Sequence, residues 1–218
     1  MKLTLYRPTQ SFWIGQHFGE SLACVNNNYP NDKTVVAKVG GVCPVGTEEL
    51  YPLLGLKGHP GLDCYAPTDT PLFACTDGNV VAVSLEFERG LGVDVVTKYE
   101  SDVDGKPVYV KWRYWHLGKL MVKLGDTIKI GDFIGLADST GLSAGSHLHW
   151  ECKIVYWDGL KWVNKEQGNG YYGAFDFEKY ITEINALDWK IALNGLSLPT
   201  GFNSLKKLVD LLVKFFSK

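Results

Sequence analysis

His147-Leu148-His149-Trp150-Glu151-Cys152-Lys153-Ile154-Val155-Tyr156 reads as a β-strand, and the rest of the middle of the chain reads in the same way. Residues two apart on a strand share a face at about 7 Å spacing, so His147, His149 and Glu151 project together. Outward from this stretch, short β-branched or aromatic runs occupy residues 72–75, 78–84, 93–99, 108–116, 127–130 and 133–137. Turn-forming pairs, Asp77-Gly78, Asp104-Gly105, Gly131-Asp132 and Asp158-Gly159, separate them. The pattern predicts a mainly β fold. Helical periodicity enters only near the end, over residues 175–187 and 204–217, which does not support an alternating βαβ sheet.

The 218 residues, 45% hydrophobic, suffice for one sizeable core with a small appendage. A formal net charge of −2 provides no basic field, so nucleic acid is not an expected partner. The first residues, Met1 to Pro8, lack the apolar run and cleavage site of a secretory signal, and nothing approaches a membrane span. The five cysteines, at 24, 43, 64, 75 and 152, have no metal-finger spacing, and most are expected reduced and buried. Cys24 and Cys43 flank a polar, Asn-rich loop and are the pair able to bridge in an oxidising compartment. Cys64 is excluded as a metal ligand, because strand alternation turns it away from Asp63.

The five histidines are the chemical signal. His59 and Asp63, four apart, would lie roughly 13 Å from each other on a straight strand. They meet at one ion only across a bend, which Pro60 and Gly61 between them permit. His147 and His149 need no bend. Glu151 continues their face as a structural carboxylate or as a partner that orients an imidazole, and is not counted as a ligand.

Together Gly58-His59-Pro60-Gly61-Leu62-Asp63, Tyr114-Trp115-His116-Leu117 and His147-Leu148-His149-Trp150-Glu151 resemble the motifs of the M23 (lysostaphin-type, LytM-like) zinc peptidases that cut bacterial peptidoglycan. Ala66-Pro67, Thr70-Pro71-Leu72 and the paired glycines and Thr140-Gly141 between Val122 and Glu151 extend the resemblance over about half the chain. It implies an antiparallel β-sheet domain of lysostaphin type, similar to a duplicated hybrid motif, with peripheral loops and C-terminal helices. It also implies one zinc ion held by His59, Asp63 and His149, with His116 and His147 acting on the bound water and the transition state. In that reading His147 is the general base and His116 stabilises or protonates the developing charge, the two sharing or exchanging these roles.

For a lone histidine burial is the ordinary explanation, but five matching positions in order outweigh it. His17 is left as a structural histidine. Tyr51 lies where relatives place a transition-state tyrosine, at an offset that spacing alone does not fix. Ala137-Asp138 stands where the resemblance leads one to expect an apolar residue and glycine, a change that bears on cleft shape. Gln16-His17-Phe18-Gly19 is similar to an element preceding the domain in many phage and bacterial members.

The expected organisation is an N-terminal segment and cleft-wall loop over 1–45, a peptidase domain over 46–185 and an extension over 186–218. The polar stretch from 24 to 49 reads as a cleft wall or a surface insertion, and the aromatics between Trp157 and Tyr172 as groove lining or packing. Leu205, Leu208, Val209, Leu212 and Phe216 form one side of an amphipathic helix, suited to docking on the domain, to a twin subunit, or to weak contact with an anionic membrane surface. The expected function is zinc-dependent hydrolysis of peptidoglycan peptides by a phage lysin or an exported enzyme acting at the cell wall. The alternatives are an inactive scaffold or activator of wall hydrolysis, and a carrier barrel suggested by residues 122–135 alone.

Overall fold

The computed structural model describes residues 5–21, 23–26, 35–37, 43, 45–86, 90–103, 106–178 and 181. The chain divides into two compact units, residues 1–186 and 187–218. The second unit, with the amphipathic helix expected at 204–217, lies outside the described residues.

The described residues form strands β1 (Ile14–Gln16), β2 (Ala23–Asn26), β3 (Val35–Ala37) and β4 (Thr47–Glu49), then a single helical turn, α1 (Leu50–Leu53). There follow β5 (Leu62–Tyr65), β6 (Pro71–Phe73), β7 (Gly78–Ser84), β8 (Leu91–Val103), β9 (Lys106–Leu120), β10 (Thr127–Ile128), β11 (Phe133–Ala137), β12 (His147–Trp157) and β13 (Trp162–Asn164). A ten-stranded sheet runs β1-β5-β12-β9-β8-β7-β10, with β11 joining β6 and β9, and β13 flanking β12. Every pairing is antiparallel. A second, three-stranded sheet, β3-β2-β4, comes from the segment read as a polar loop.

The mainly β reading holds, and the expected strands at 78–84 and 133–137 have those bounds. The helix expected from 175 does not begin there: residues 175–177 are irregular, and most residues beyond 178 lie outside the described set. Phe177 is instead a core side chain, 4.7 Å from the Trp150 ring and 5.4 Å from that of Trp112. Its apolar spacing reflects burial under a sheet and not a helical face. Cys24 and Cys43 form a disulfide, while Cys64, Cys75 and Cys152 are free and buried.

Alternation divides the sheet into two faces. Leu148, Trp150 and Cys152 of β12, Trp112 and Tyr114 of β9, and Leu62 and Cys64 of β5 are wholly buried on the core side. The Tyr114 hydroxyl accepts from the Cys75 amide at 2.9 Å and donates to Cys75 Sγ at 2.8 Å, so its polar end is satisfied inside the core. The opposite face of the same strands carries His147, His149, Glu151, Lys153, Arg113 and Asp63.

Candidate metal centre

His59 comes before β5 and Asp63 lies within it, with the chain bending at Pro60-Gly61 so that His59 Nε2 stands 3.0 Å from Asp63 Oδ1. Gly61 gives the bend its room. A Cβ there would lie 2.6 Å from the Trp150 carbonyl oxygen and about 3 Å from the His149 ring. Sheet register supplies the third group: His149 pairs with Asp63 on one side and with Trp115 on the other. His149 Nδ1 is 3.0 Å from Asp63 Oδ1 and 2.9 Å from His59 Nε2.

Three donor atoms about 3 Å apart form a nearly equilateral triangle. Zinc bonds of 2.0–2.2 Å at tetrahedral angles set donors roughly 3.3 Å apart, so two imidazoles and a carboxylate in this arrangement fit such an ion. His59 Nδ1 donates to the His17 carbonyl at 3.3 Å, which directs Nε2 inward. Burial by itself would raise the Asp63 carboxyl, but its contacts with the His147, His149 and His59 rings hold it well below the usual range. Burial, helped by His59, lowers His149 despite Asp63, which favours the neutral ring a metal requires.

His116 reaches the site through a β-bulge. Leu91 pairs with Leu117 and Gly92 with Trp115, leaving His116 as the extra residue, at φ 66°. On an unbroken strand His116 would follow Tyr114 into the core. The bulge turns it to the site face and sends Leu117 inward, where Leu117 is wholly buried. Left-handed backbone is uncommon outside glycine and recurs at functional sites. Thr140 holds the bulge: its hydroxyl donates to the Leu117 carbonyl at 2.8 Å and accepts from the Leu91 amide at 3.0 Å. Its own carbonyl accepts from His116 Nδ1 at 2.7 Å.

His147 Nδ1 donates to the Gly145 carbonyl at 2.7 Å, and Nε2 lies 3.4 Å from Asp63 Oδ1. The His116 and His147 rings are 4.6 Å apart. Burial, with His147 and His149 nearby, lowers His116 to about 3, so it is neutral near pH 7. Burial also opposes charge on His147, but the contact with Asp63, the Asp63 charge and the Gly145 carbonyl together outweigh it and leave His147 raised.

These groups line a cleft of about 650 Å³ that also takes in Gln16, Leu50, Tyr51, Trp115, Leu142 and Tyr172. The Tyr51 hydroxyl donates to Gln16 Oε1 at 3.1 Å, its ring is 5.9 Å from that of His59, and burial followed by Asp63 pushes its phenol up. The His17 ring stays outside the cluster. It pairs at the surface with Glu178 at 2.8 Å, and only the residue's backbone serves the site. Asp138 contributes backbone too, its amide bonding the His116 carbonyl at 2.8 Å and its carbonyl accepting from the His147 amide at 3.3 Å. Such backbone services carry no sequence signal. Glu151 bridges Arg113 and Lys153 at 3.4 and 2.8 Å.

The His-Asp-His cluster could hold a metal ion, and His116 and His147 line the same cleft. The chain belongs to peptidase family M23, whose model matches residues 57–165. It is 35% identical over 137 residues to the peptidoglycan DD-endopeptidase ShyB of Vibrio cholerae, covering 62% of this chain and 29% of that one. An uncharacterized metalloprotease of Haemophilus influenzae is 32% identical over 137 residues, covering 62% and 26%. This chain thus spans less than a third of the length of either relative. Among solved structures, the catalytic domain of the antimicrobial peptidase lysostaphin from Staphylococcus simulans is similar at 26% identity, covering 57% of this chain and 79% of that one, with a TM-score of 0.42.

Proposed function

We propose that this protein is a zinc-dependent endopeptidase that hydrolyses peptide bonds of bacterial peptidoglycan, with residues 46–185 as its catalytic domain. The observation that carries the reading is the triangle of His59 Nε2, Asp63 Oδ1 and His149 Nδ1 at about 3 Å spacing, flanked by His116 and His147. Family membership and the wall-hydrolysing relative support the substrate class. His59, Asp63 and His149 hold the zinc, which when bound supplies Lewis acidity and a water acidified toward neutral pH.

His147 is the general base. Its Nδ1 proton is committed to Gly145, so Nε2 faces the cleft as an acceptor, and Asp63 raises its basicity. His147 takes a proton from the attacking water and returns it to the leaving amine. His116 is also bonded at Nδ1, so its neutral ring presents a lone pair at Nε2. With the rings 4.6 Å apart the two can exchange roles: whichever imidazole takes the water's proton becomes the cation that stabilises the developing charge and then returns that one proton to the leaving amine.

The test is release of peptide fragments from purified cell walls by the full chain, with and without a chelator. Fragments should appear without chelator, cease with it and return on adding zinc. Walls left intact in the presence of zinc would count against the proposed activity.

A further inference from the structure

On the site face, the row of the sheet next to His149 is made of Glu151, Arg113 and Asp94, which lie opposite one another on β12, β9 and β8. The following row brings Lys153 opposite Lys111. Arg113 donates through Nε and Nη2 to Asp94 at 2.9 and 3.1 Å and reaches Glu151 at 3.4 Å. Lys111 lies 3.5 Å from Asp94, and Lys153 lies 2.8 Å from Glu151.

Among the described residues, three cations therefore face two carboxylates, and the next carboxylate along this face, Asp63, is engaged by histidines. Burying charges is costly, and a network that shows one cation more than its carboxylates among the described residues is not explained by stability. Of the five N–H groups of a guanidinium, the contacts with Asp94 and Glu151 engage at most three among the described residues. Arg113 is the most accessible of the set, its side chain 28% exposed where those of Asp94 and Lys153 are 8% and 6%. It lies 5.0 Å over the Trp115 ring, and Trp115 in turn lies against Gly92, where a Cβ would come within 2.7 Å of the indole. Arg113, Glu151 and Lys153 line the same cleft as the histidines.

Resting on the peptidase reading above, we propose that Arg113, backed by Lys153 and Lys111, forms an anion subsite that receives a carboxylate of the substrate peptide. One and two rows from His149 correspond to roughly 7 and 13 Å along the strand, so the carboxylate sits about two to four residues from the scissile bond of an extended peptide. Arginine suits this task because its planar fork engages a carboxylate through two N–H groups at once. Asp94 and Glu151 hold the guanidinium in place and leave its remaining edge to the cleft.

The experiment offers the full-length, zinc-loaded protein cross-linked peptides released from purified peptidoglycan. Side-chain carboxylates are left free or converted to carboxamides, and the terminal carboxylate is treated likewise in a separate set. One of the two conversions should lower kcat/KM about tenfold, the size expected for one charge-assisted hydrogen-bonded pair, and which one does so identifies the source of the carboxylate. The ratio of free to amidated substrate should approach one in Arg113→Gln and be partly retained in Arg113→Lys. If Arg113→Gln does not fold, Arg113→Gln combined with Asp94→Asn removes both partners of the main bridge and serves in its place. Equal rates on free and amidated peptides, or an undiminished ratio in the variant, would overturn the subsite while leaving the peptidase reading intact. Failure to cut any peptide or wall would overturn both.

Discussion

At the scale of single residues, the histidines divide by what their second nitrogen touches. His59 gives Nδ1 to the His17 carbonyl and turns Nε2 to the cluster, whereas His149 enters it through Nδ1. His116 and His147 are anchored at Nδ1 by the carbonyls of Thr140 and Gly145 and stand beside the cluster. Replacing one of the three clustered groups should abolish metal binding, while replacing a flanking ring should not. His149→Ala is therefore expected to lose zinc, and His116→Ala to retain it while wall hydrolysis falls by roughly two to four powers of ten. Metal analysis beside a turnover assay checks this, and equal zinc loss in the two variants would refute the division of roles. The candidate donors were legible in the sequence because ligand chemistry restricts residue type, but the choice of His59, Asp63 and His149 among them came from the resemblance to the family's motifs, since spacing leaves His147 and His149 equivalent. The His17 carbonyl was not, because any residue offers one.

At the scale of elements, β9 does the unusual work. Its bulge shifts the alternation by one, so that His116 leaves the core side and Leu117 takes the vacated place. Thr140, only 1% exposed, bonds both strands of the bulge through one hydroxyl and His116 through its carbonyl. Thr140→Val keeps the shape but leaves a buried donor and a buried acceptor unmatched, at a cost of about 1–3 kcal/mol. Thermal unfolding should show this loss, and wall hydrolysis should fall while bound zinc stays constant. A variant with unchanged melting and activity would show that the hydroxyl does not hold the bulge. From sequence the run 108–116 reads as one uninterrupted strand, since the β-period of its residues does not reveal where an extra one is inserted. The segment 24–49 reads as a loop because the short strands β2, β3 and β4 are stabilised by pairing with each other, not by their own pattern.

At the scale of the whole molecule, residues before the family-matched segment complete the site. The Gly19 amide donates to the His59 carbonyl and the His59 amide to the Glu20 carbonyl, each at 2.9 Å, Gln16 lies opposite Asp63, and Phe18 packs 4.5 Å from Tyr171. His17 and Glu178, far apart in sequence, close the strap at the surface. The Glu178 hydrogen bond, opposed by desolvation and assisted by the charges of Glu178, Glu20 and Asp176, raises His17 above 6.5. Because the folded value is the higher one, this contribution to stability is fully present below pH 6.5 and disappears as pH rises through the raised value. Both side chains are exposed enough that solvent screens the effect, so it should be small. An NMR titration should place His17 above the ordinary histidine value in the native protein and return it toward 6.5 in Glu178→Gln. The same value in both would remove Glu178 as the cause.

The sequence by itself determined which chemistries were available and where the chain turns: histidines and an aspartate at ligand spacing, a Pro-Gly bend between two of them, and short β-branched runs broken by glycine. These are local properties, set by side-chain type and backbone preference. Tertiary structure alone decided the register that sets His149 opposite Asp63, the bulge that moves His116 across the sheet, and the pairing of β2, β3 and β4. It also decided that the backbone of the first segment would orient His59, and that three cations would share two carboxylates beside the cluster. Each depends on which strand lies next to which, and that is settled by the burial of Trp112, Trp150, Phe177 and their neighbours in one core.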